Sequence, residues 1–239
     1  MKVLDLFCGC GGFSLGFDYA GFKIVMGIDS WDIACESYSV NFPNTEVLCE
    51  DIMKIDHETL PDVDIVIGSP PCQCFSSANL KKTEDPTLVN RFWEIVEYLN
   101  PKWVIMEEVP AAAKYVSDKW IKRVYRMSDY GIPQIRRRLF AGRFIEPNKA
   151  PTNIVFPAVL ATEYKGAGGS ITRLSDTFGR RSLLPEAMLI QTFPLDYYLA
   201  GSLKDRYTQI GNAVPPLMAY RLADAIKNGN IFNIEELIK

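Results

Sequence analysis

The sequence predicts an α/β fold, a parallel sheet covered on both faces by helices, and three observations carry that expectation. Short apolar runs recur at residues 3–7, 23–28, 46–49, 63–67, 103–106 and 139–142, each closing on Gly or an acid. Helical spacing fits between several of them, at 13–19, 33–40 and 88–99. The runs are apolar without alternation, as strands buried between two layers are. Taken in order, the first run opens into Cys8-Gly9-Cys10-Gly11-Gly12, where glycines allow a tight turn. The helix expected at 88–99 has Asp85 as N-cap and Pro86 at the first helical position. Its Leu88, Phe92, Ile95, Val96 and Leu99 share one face.

The texture changes after Arg143: residues 144–180 carry Pro147, Pro151, Pro157, Gly166, Gly168, Gly169 and Gly179, and no helix is expected there. A last helix should follow Pro215-Pro216, burying Ala219, Leu222, Ala223 and Ile226 and closing near Gly229. This divides the chain into a main unit, 1–143 with 210–239, and a small module, 144–209.

The chain has 239 residues, 26 Lys+Arg against 29 Asp+Glu, and 48% hydrophobic residues, the composition of a soluble globular protein. No window approaches the ~18–20 apolar residues of a membrane span. The acid at Asp5 interrupts any signal-peptide run, so an intracellular, cytoplasmic location is expected. An acidic pI of about 5.4 leaves room for a local basic face. Residues 119–143 supply one, with eight Lys/Arg and a single acid, Asp129. The six cysteines, at 8, 10, 35, 49, 72 and 74, crowd into the first third, unlike a disulfide scaffold. Their Cys-x-Cys spacings and the single His57 do not suit zinc, so no metal is expected and most of these thiols read as packing.

In open α/β sheets ligands sit beyond the carboxyl ends of the strands, which directs attention to Gly9–Gly12, Asp29, Asp51, 69–74 and 107–110. The glycine loop departs from the dinucleotide fingerprint, because Ser14 stands where the third glycine belongs. Asp29 is placed to hold a ribose diol and Asp51 to accept from an adenine amino group, yet each alone reads equally as a cap. The stretch Gly68-Ser69-Pro70-Pro71-Cys72-Gln73-Cys74-Phe75 is more specific. Two prolines stiffen the backbone before Cys72 and fix where its thiol points. With His57 in a polar stretch there is no Cys–His pair, so the electrophile must be activated instead, and Glu107 is the natural proton donor.

At this point the residues resemble the cytosine-C5 DNA methyltransferase family, in motif order over nearly the full length. Asp5-Leu6-Phe7-Cys8-Gly9-Cys10-Gly11-Gly12 is similar to the first motif, and Asp29 and Asp51 fall at the second and third. Ser69-Pro70-Pro71-Cys72-Gln73 resembles the nucleophile motif, Glu107-Glu108-Val109 the Glu-Asn-Val motif, and Gln134-Ile135-Arg136-Arg137-Arg138 the Gln-x-Arg-x-Arg motif. Gln191-Thr192-Phe193-Pro194 and Gly211-Asn212-Ala213-Val214-Pro215-Pro216 are similar to the ninth and tenth.

The resemblance implies a Rossmann-like methyltransferase sheet with a small, reduced target-recognition module. It implies S-adenosylmethionine as cofactor, with Phe7 against the adenine, Gly9, Gly11 and Gly12 near the methionine end, and Asp29 on the ribose. Asp51 with Ile52 would meet the base, and Pro70, Asn212 and Ala213 would complete the pocket. DNA is the implied substrate, with Cys72 adding to carbon 6 of a flipped-out cytosine. Glu107 would act at N3 and the amino group and Arg138 at O2, with Gln134 and Arg136 completing the catalytic set. The loop 76–84, with Lys81 and Lys82, would close over the base, and the 119–143 cluster would meet phosphates; Arg137, outside the motif pattern, reads as a charged strand face.

Three departures stand out. Glu108 replaces the family's Asn, and a second carboxyl beside Glu107 is expected to raise the pair's pKa and favour a protonated Glu107. The stretch 110–130 is short. The recognition region is nearly absent, since residues 157–162 already resemble the start of the ninth motif, so a short or relaxed target, or a partner chain, is expected. Rival readings are a tRNA cytosine-C5 methyltransferase, which lacks its Cys-Phe-Thr tripeptide here; a silent partner subunit, which would not need Cys72; and a nucleotide-dependent oxidoreductase, which leaves Cys72 unexplained.

Overall fold

In the computed structural model, residues 1–71, 85–165 and 174–229 are described, so Cys72, Cys74 and the 76–84 loop lie outside the described residues. The chain runs β1 (Lys2–Leu6), α1 (Gly12–Tyr19), β2 (Lys23–Asp29), α2 (Asp32–Asn41), β3 (Glu46–Cys49), β4 (Ile65–Gly68), α3 (Thr87–Leu99) and β5 (Trp103–Glu108). It continues through β6 (Ile121–Arg126), β7 (Arg137–Arg143), α4 (Leu174–Phe178), α5 (Leu184–Ile190), α6 (Leu203–Asn212) and α7 (Pro216–Asn228). The strands form one seven-stranded sheet in the order β3-β2-β1-β4-β5-β7-β6. No helix of the described residues is long and apolar enough to cross a membrane.

Strands β1 to β5 are parallel, as expected. The expectation of a wholly parallel sheet is corrected at β7, which runs antiparallel to both β5 and β6. The ten residues between β6 and β7 contain no crossover helix, and a parallel return needs a dozen or more residues. The strand β6 was not expected. Its Lys122, Arg123 and Arg126 read as part of a charge cluster, and such charge is how an edge strand is protected from further pairing.

Alternate residues of the strands feed two cores. One face puts Val3, Ile65, Ile67, Ile105 and Phe140 with Phe13, Phe17, Tyr38 and the α7 residues Ala219, Leu222 and Ala223. The other puts Leu4, Leu6, Val66, Val104 and Leu139 with Phe92, Ile95 and Val96 of α3. Residues of the 144–209 module, among them Val159, Leu174, Met188, Phe193 and Tyr207, join the first of these clusters. The cap of α3 is shifted by one residue from the expected one: Pro86, not Asp85, is the N-cap, and the Asp85 carboxylate accepts from Thr87 N at 3.0 Å. Leu88 and Leu99 sit at the margin of the second core rather than inside it.

Helix α1 packs directly on α7 at Gly16, where a Cβ would lie 2.4 Å from Pro216 O, Tyr220 N and Ala219 Cβ. Two backbones this close admit no side chain. Gly16→Ala should therefore lower the unfolding free energy by about 1–3 kcal/mol through overpacking, against a helix-propensity gain of about 1 kcal/mol. Chemical denaturation measures it, and a variant more stable than the parent would show that the helices are not in this contact.

Candidate active site

A cavity of about 280 Å³ opens where β1, β2, β4 and β5 end, on the side the strand polarity requires. Its floor is the turn after β1. Phe7 takes a left-handed backbone (φ 58°), an unusual conformation for an aromatic residue that is held here by Cys8 N donating to Ile28 O at 2.9 Å. Gly9 follows at φ 53°, with nothing within 4 Å of where a Cβ would stand, so the turn is left-handed and faces open space. Gly9 N donates to Asp29 Oδ2 at 2.8 Å, and Trp31 N donates to Oδ1 at 2.9 Å. One carboxylate at the end of β2 thus ties two loops together. Burial raises its pKa from the ordinary value, and these donors oppose the shift.

Beneath the turn, Ser14 donates to Asp5 Oδ2 at 2.6 Å and receives the Tyr38 hydroxyl at 2.7 Å. This explains the missing third glycine: the serine is a polar strut rather than a packing gap. Asp5 is fully buried, and its acid is pushed up to about 7 mainly by burial. Cys8 and Cys10 are buried and their thiols are pushed up by desolvation, Cys10 to about 12, which suits packing groups rather than nucleophiles.

Glu107, near the end of β5, is 5% exposed and projects into the cavity. Arg138 Nε lies 3.0 Å from its Oε1. The two meet because Glu107 stands opposite Phe140 in the antiparallel register, which makes Arg138 its diagonal neighbour on the same face. Arg136, on that face too, is buried and donates to the carbonyls of Val159 at 3.3 Å, Gly211 at 3.0 Å and Ala213 at 3.4 Å. Gln134 is wholly buried and stands outside the cavity wall. Its amide donates to Ile190 O and Gln191 Oε1, and its Oε1 accepts from Val159 N. Gln191 in turn donates to Ile210 O and to Ala213 O.

Of the residues singled out in the sequence, Phe7, Gly9, Gly12, Asp29, Pro70, Glu107, Arg136, Arg138, Asn212 and Ala213 line this one cavity. Pro71, the last described residue before position 72, is also in its wall. Gly11, Asp51 and Ile52 are not in the wall. Asp51 accepts from Met53 N at 3.0 Å as a helix cap, and Ile52 belongs to the second core. Sequence reasoning missed Trp31 and Gln209, both in the wall. Trp31 left a signal: a large aromatic occupies the N-cap of α2, where a short polar side chain is expected. Gln209 left none, because its packing on Ser37 bridges 172 residues of sequence.

The profile of the C-5 cytosine-specific DNA methylase family matches residues 1–154 and 142–228. The chain belongs to that family. It is 31% identical to the Type II methyltransferase M.HgiDI of Herpetosiphon aurantiacus, over 95% of this chain and 94% of that protein. It is 28% identical to the Type II methyltransferase M1.HphI of Haemophilus parahaemolyticus, over 96% of this chain and 87% of that one. Among solved structures, the Entamoeba histolytica methyltransferase EhMeth superposes with a TM-score of 0.72 at 17% identity, covering 95% of this chain and 98% of its own, a likeness of fold.

Glu108, the departure from the family's Asn, lies on the other face of β5 with Val104 and Met106. It is 0% exposed; its Oε2 accepts from Val109 N, and Oε1 has no hydrogen-bond partner among the described residues. Burial first, then the charge of Glu107, push its acid up to about 8, against Val109 N and Arg138, which favour ionisation. The sequence placed the upward shift on Glu107; it falls on Glu108, and burial rather than the neighbouring carboxyl is its first cause. A carboxyl whose native pKa exceeds its unfolded value binds an extra proton when folded, so stability falls as pH rises from about 4.5 to about 8. Glu108→Gln should flatten the fall of melting temperature across that window; an unchanged slope would mean that Glu108 is ionised in the native state.

Proposed function

We propose that the chain transfers a methyl group from S-adenosylmethionine to carbon 5 of cytosine in DNA, with Cys72 as nucleophile. The observation that carries this reading is the convergence on one cavity of Glu107, Arg138, the Gly9–Asp29 cradle and the Pro70-Pro71 lead into position 72. The cradle fits the cofactor. The open left-handed turn at Gly9 leaves room for the methionine end, and Asp29 can accept from a ribose diol. Phe7, Gly11, Gly12, Pro70, Asn212 and Ala213 complete the holding set, with Asp51 and Ile52 assigned to the adenine. S-adenosylmethionine supplies an electrophilic methyl group.

Carbon 5 of cytosine is a weak nucleophile, so the ring has to be activated. The Cys72 thiolate adds to carbon 6, and the electron pair of the 5,6 double bond moves toward N3 as Glu107 holds a proton there. Arg138 donates to O2 and disperses the same charge. Carbon 5, now enamine-like, takes the methyl group; its proton leaves to water, and the C–S bond breaks to return the thiolate. Gln134 and Arg136 act as positioning residues that fix the start of β7.

Target recognition is reduced. The alignment with M1.HphI spans 330 positions against the 239 residues of this chain, so the relative carries segments that this chain lacks. Since sequence is read through base-edge contacts, we assign the chain a short or relaxed target, or a partner chain that reads it. Its soluble-protein composition accords with work in the cytoplasm.

Incubation with a duplex containing 5-fluorocytosine should leave a covalent adduct on Cys72, because fluorine blocks the final proton loss. Cys72→Ser should form none. Labelled transfer to tRNA but not duplex DNA, or an adduct on another residue, would overturn the reading. Glu107→Gln should slow methyl transfer by about 10²–10⁴-fold, and Arg138→Met by about 10²–10³-fold, in single-turnover assays. Methylome sequencing after expression in a methylation-free host should find a short or degenerate motif; a strict six-base motif made by this chain alone would contradict the reduced recognition surface.

A further inference from the structure

Sorting the basic stretch 119–143 by partner leaves two guanidinium groups over. Lys119 pairs with Glu97 at 2.5 Å, Lys122 with Asp118 at 2.5 Å, and Arg123 with Glu146 at 2.6 Å. Arg138 faces Glu107, Arg136 is committed to buried carbonyls, and Arg143 lies over the Trp120 ring at 5.6 Å. Arg126 and Arg137 are exposed, and neither side chain has a hydrogen bond or ion pair among the described residues. They stand directly opposite each other on β6 and β7. Side chains so placed are anchored about 5 Å apart, and like charges in that position repel.

A repulsive pair is stabilised by an anion between its members, and two guanidinium forks suit the non-bridging oxygens of a phosphodiester. The position matters as much as the charge. Arg137 immediately precedes Arg138, so the pair lies at the end of β7 that reaches the cavity, on the sheet face opposite that of Arg138. We infer that Arg126 and Arg137 form a phosphate clamp that grips the DNA backbone at the rim of the active site. The clamp rests on the DNA methyltransferase reading above. It uses Arg137, the arginine that falls outside the Gln-x-Arg-x-Arg pattern, together with Arg126 from the neighbouring strand.

The test is the salt dependence of duplex binding by the full chain, measured by fluorescence anisotropy for the wild type, Arg126→Gln, Arg137→Gln, the double variant and Arg137→Lys. Each phosphate contact contributes about 0.9 to the slope of log K against log salt. The double variant should lose about one unit of slope if the two arginines share a phosphate, and about two if each holds its own. Arg137→Lys should keep the wild-type slope, because the charge is retained. Relief of repulsion means that Arg137→Gln should melt no lower than wild type; a lowered melting point with an unaltered slope would assign Arg137 a merely structural role. A double variant with the wild-type slope overturns the clamp and leaves the methyltransferase reading intact. A wild type that neither binds duplex DNA nor forms the 5-fluorocytosine adduct overturns that reading and the clamp with it.

Discussion

The site depends on a carboxyl and a guanidinium held mostly out of water on adjacent strands. Arg138 Nε lies 3.0 Å from Glu107 Oε1, and a buried guanidinium with no such partner would cost several kcal/mol. That meeting follows from the direction of β7. Were β7 parallel to β5, its first residues would lie at the amino edge of the sheet, far from the cavity. Running antiparallel, it delivers Arg138 to the carboxyl edge, where the parallel strands β1, β2, β4 and β5 converge. In the proposed reaction a base entering the cavity would meet a carboxyl and a guanidinium already placed side by side, so little reorganisation would be needed as charge develops on its ring.

A buried frame of amides and one guanidinium keeps that geometry fixed. Arg136, Gln134 and Gln191 direct their donors to the carbonyls of Val159, Ile190, Ile210, Gly211 and Ala213. The farthest of these carbonyls, Ala213 O, lies 77 residues along the chain from Arg136. Buried polar groups satisfied in this way rigidify what they join, because breaking one bond leaves an orphaned donor in a medium of low polarity. Two glutamines and an arginine of the matched motifs therefore act behind the cavity as much as in it. Glu108 is the contrasting case: a carboxyl in a dry setting, kept neutral by burial, standing where the family carries an uncharged amide.

Much of this was legible before the structure. The apolar runs located six of the seven strands, because a strand buried between two helical layers has no polar face to disguise it. The strand β6 was hidden for the opposite reason: its Lys122, Arg123 and Arg126 serve an edge and a rim, not a core. Strand direction at β7 was invisible, since a run such as Leu139-Phe140-Ala141-Gly142 is apolar whichever way it points. Phe7, Gly9, Asp29, Glu107 and Arg138 could be named from position at strand ends and motif order. Which face each occupied could not, and so the position of Gln134 and Asp51 outside the cavity wall was not foreseen. Gln209 entered the wall through long-range packing that no local pattern encodes.

The account turns on Glu107 and Arg138 acting as one unit on one base. The direct measurement is a double-mutant cycle on single-turnover methyl transfer to duplex DNA, with Glu107→Gln, Arg138→Met and the combination. A unit predicts strong non-additivity, the double variant being little slower than the worse single variant. Independent losses that simply multiply would contradict it.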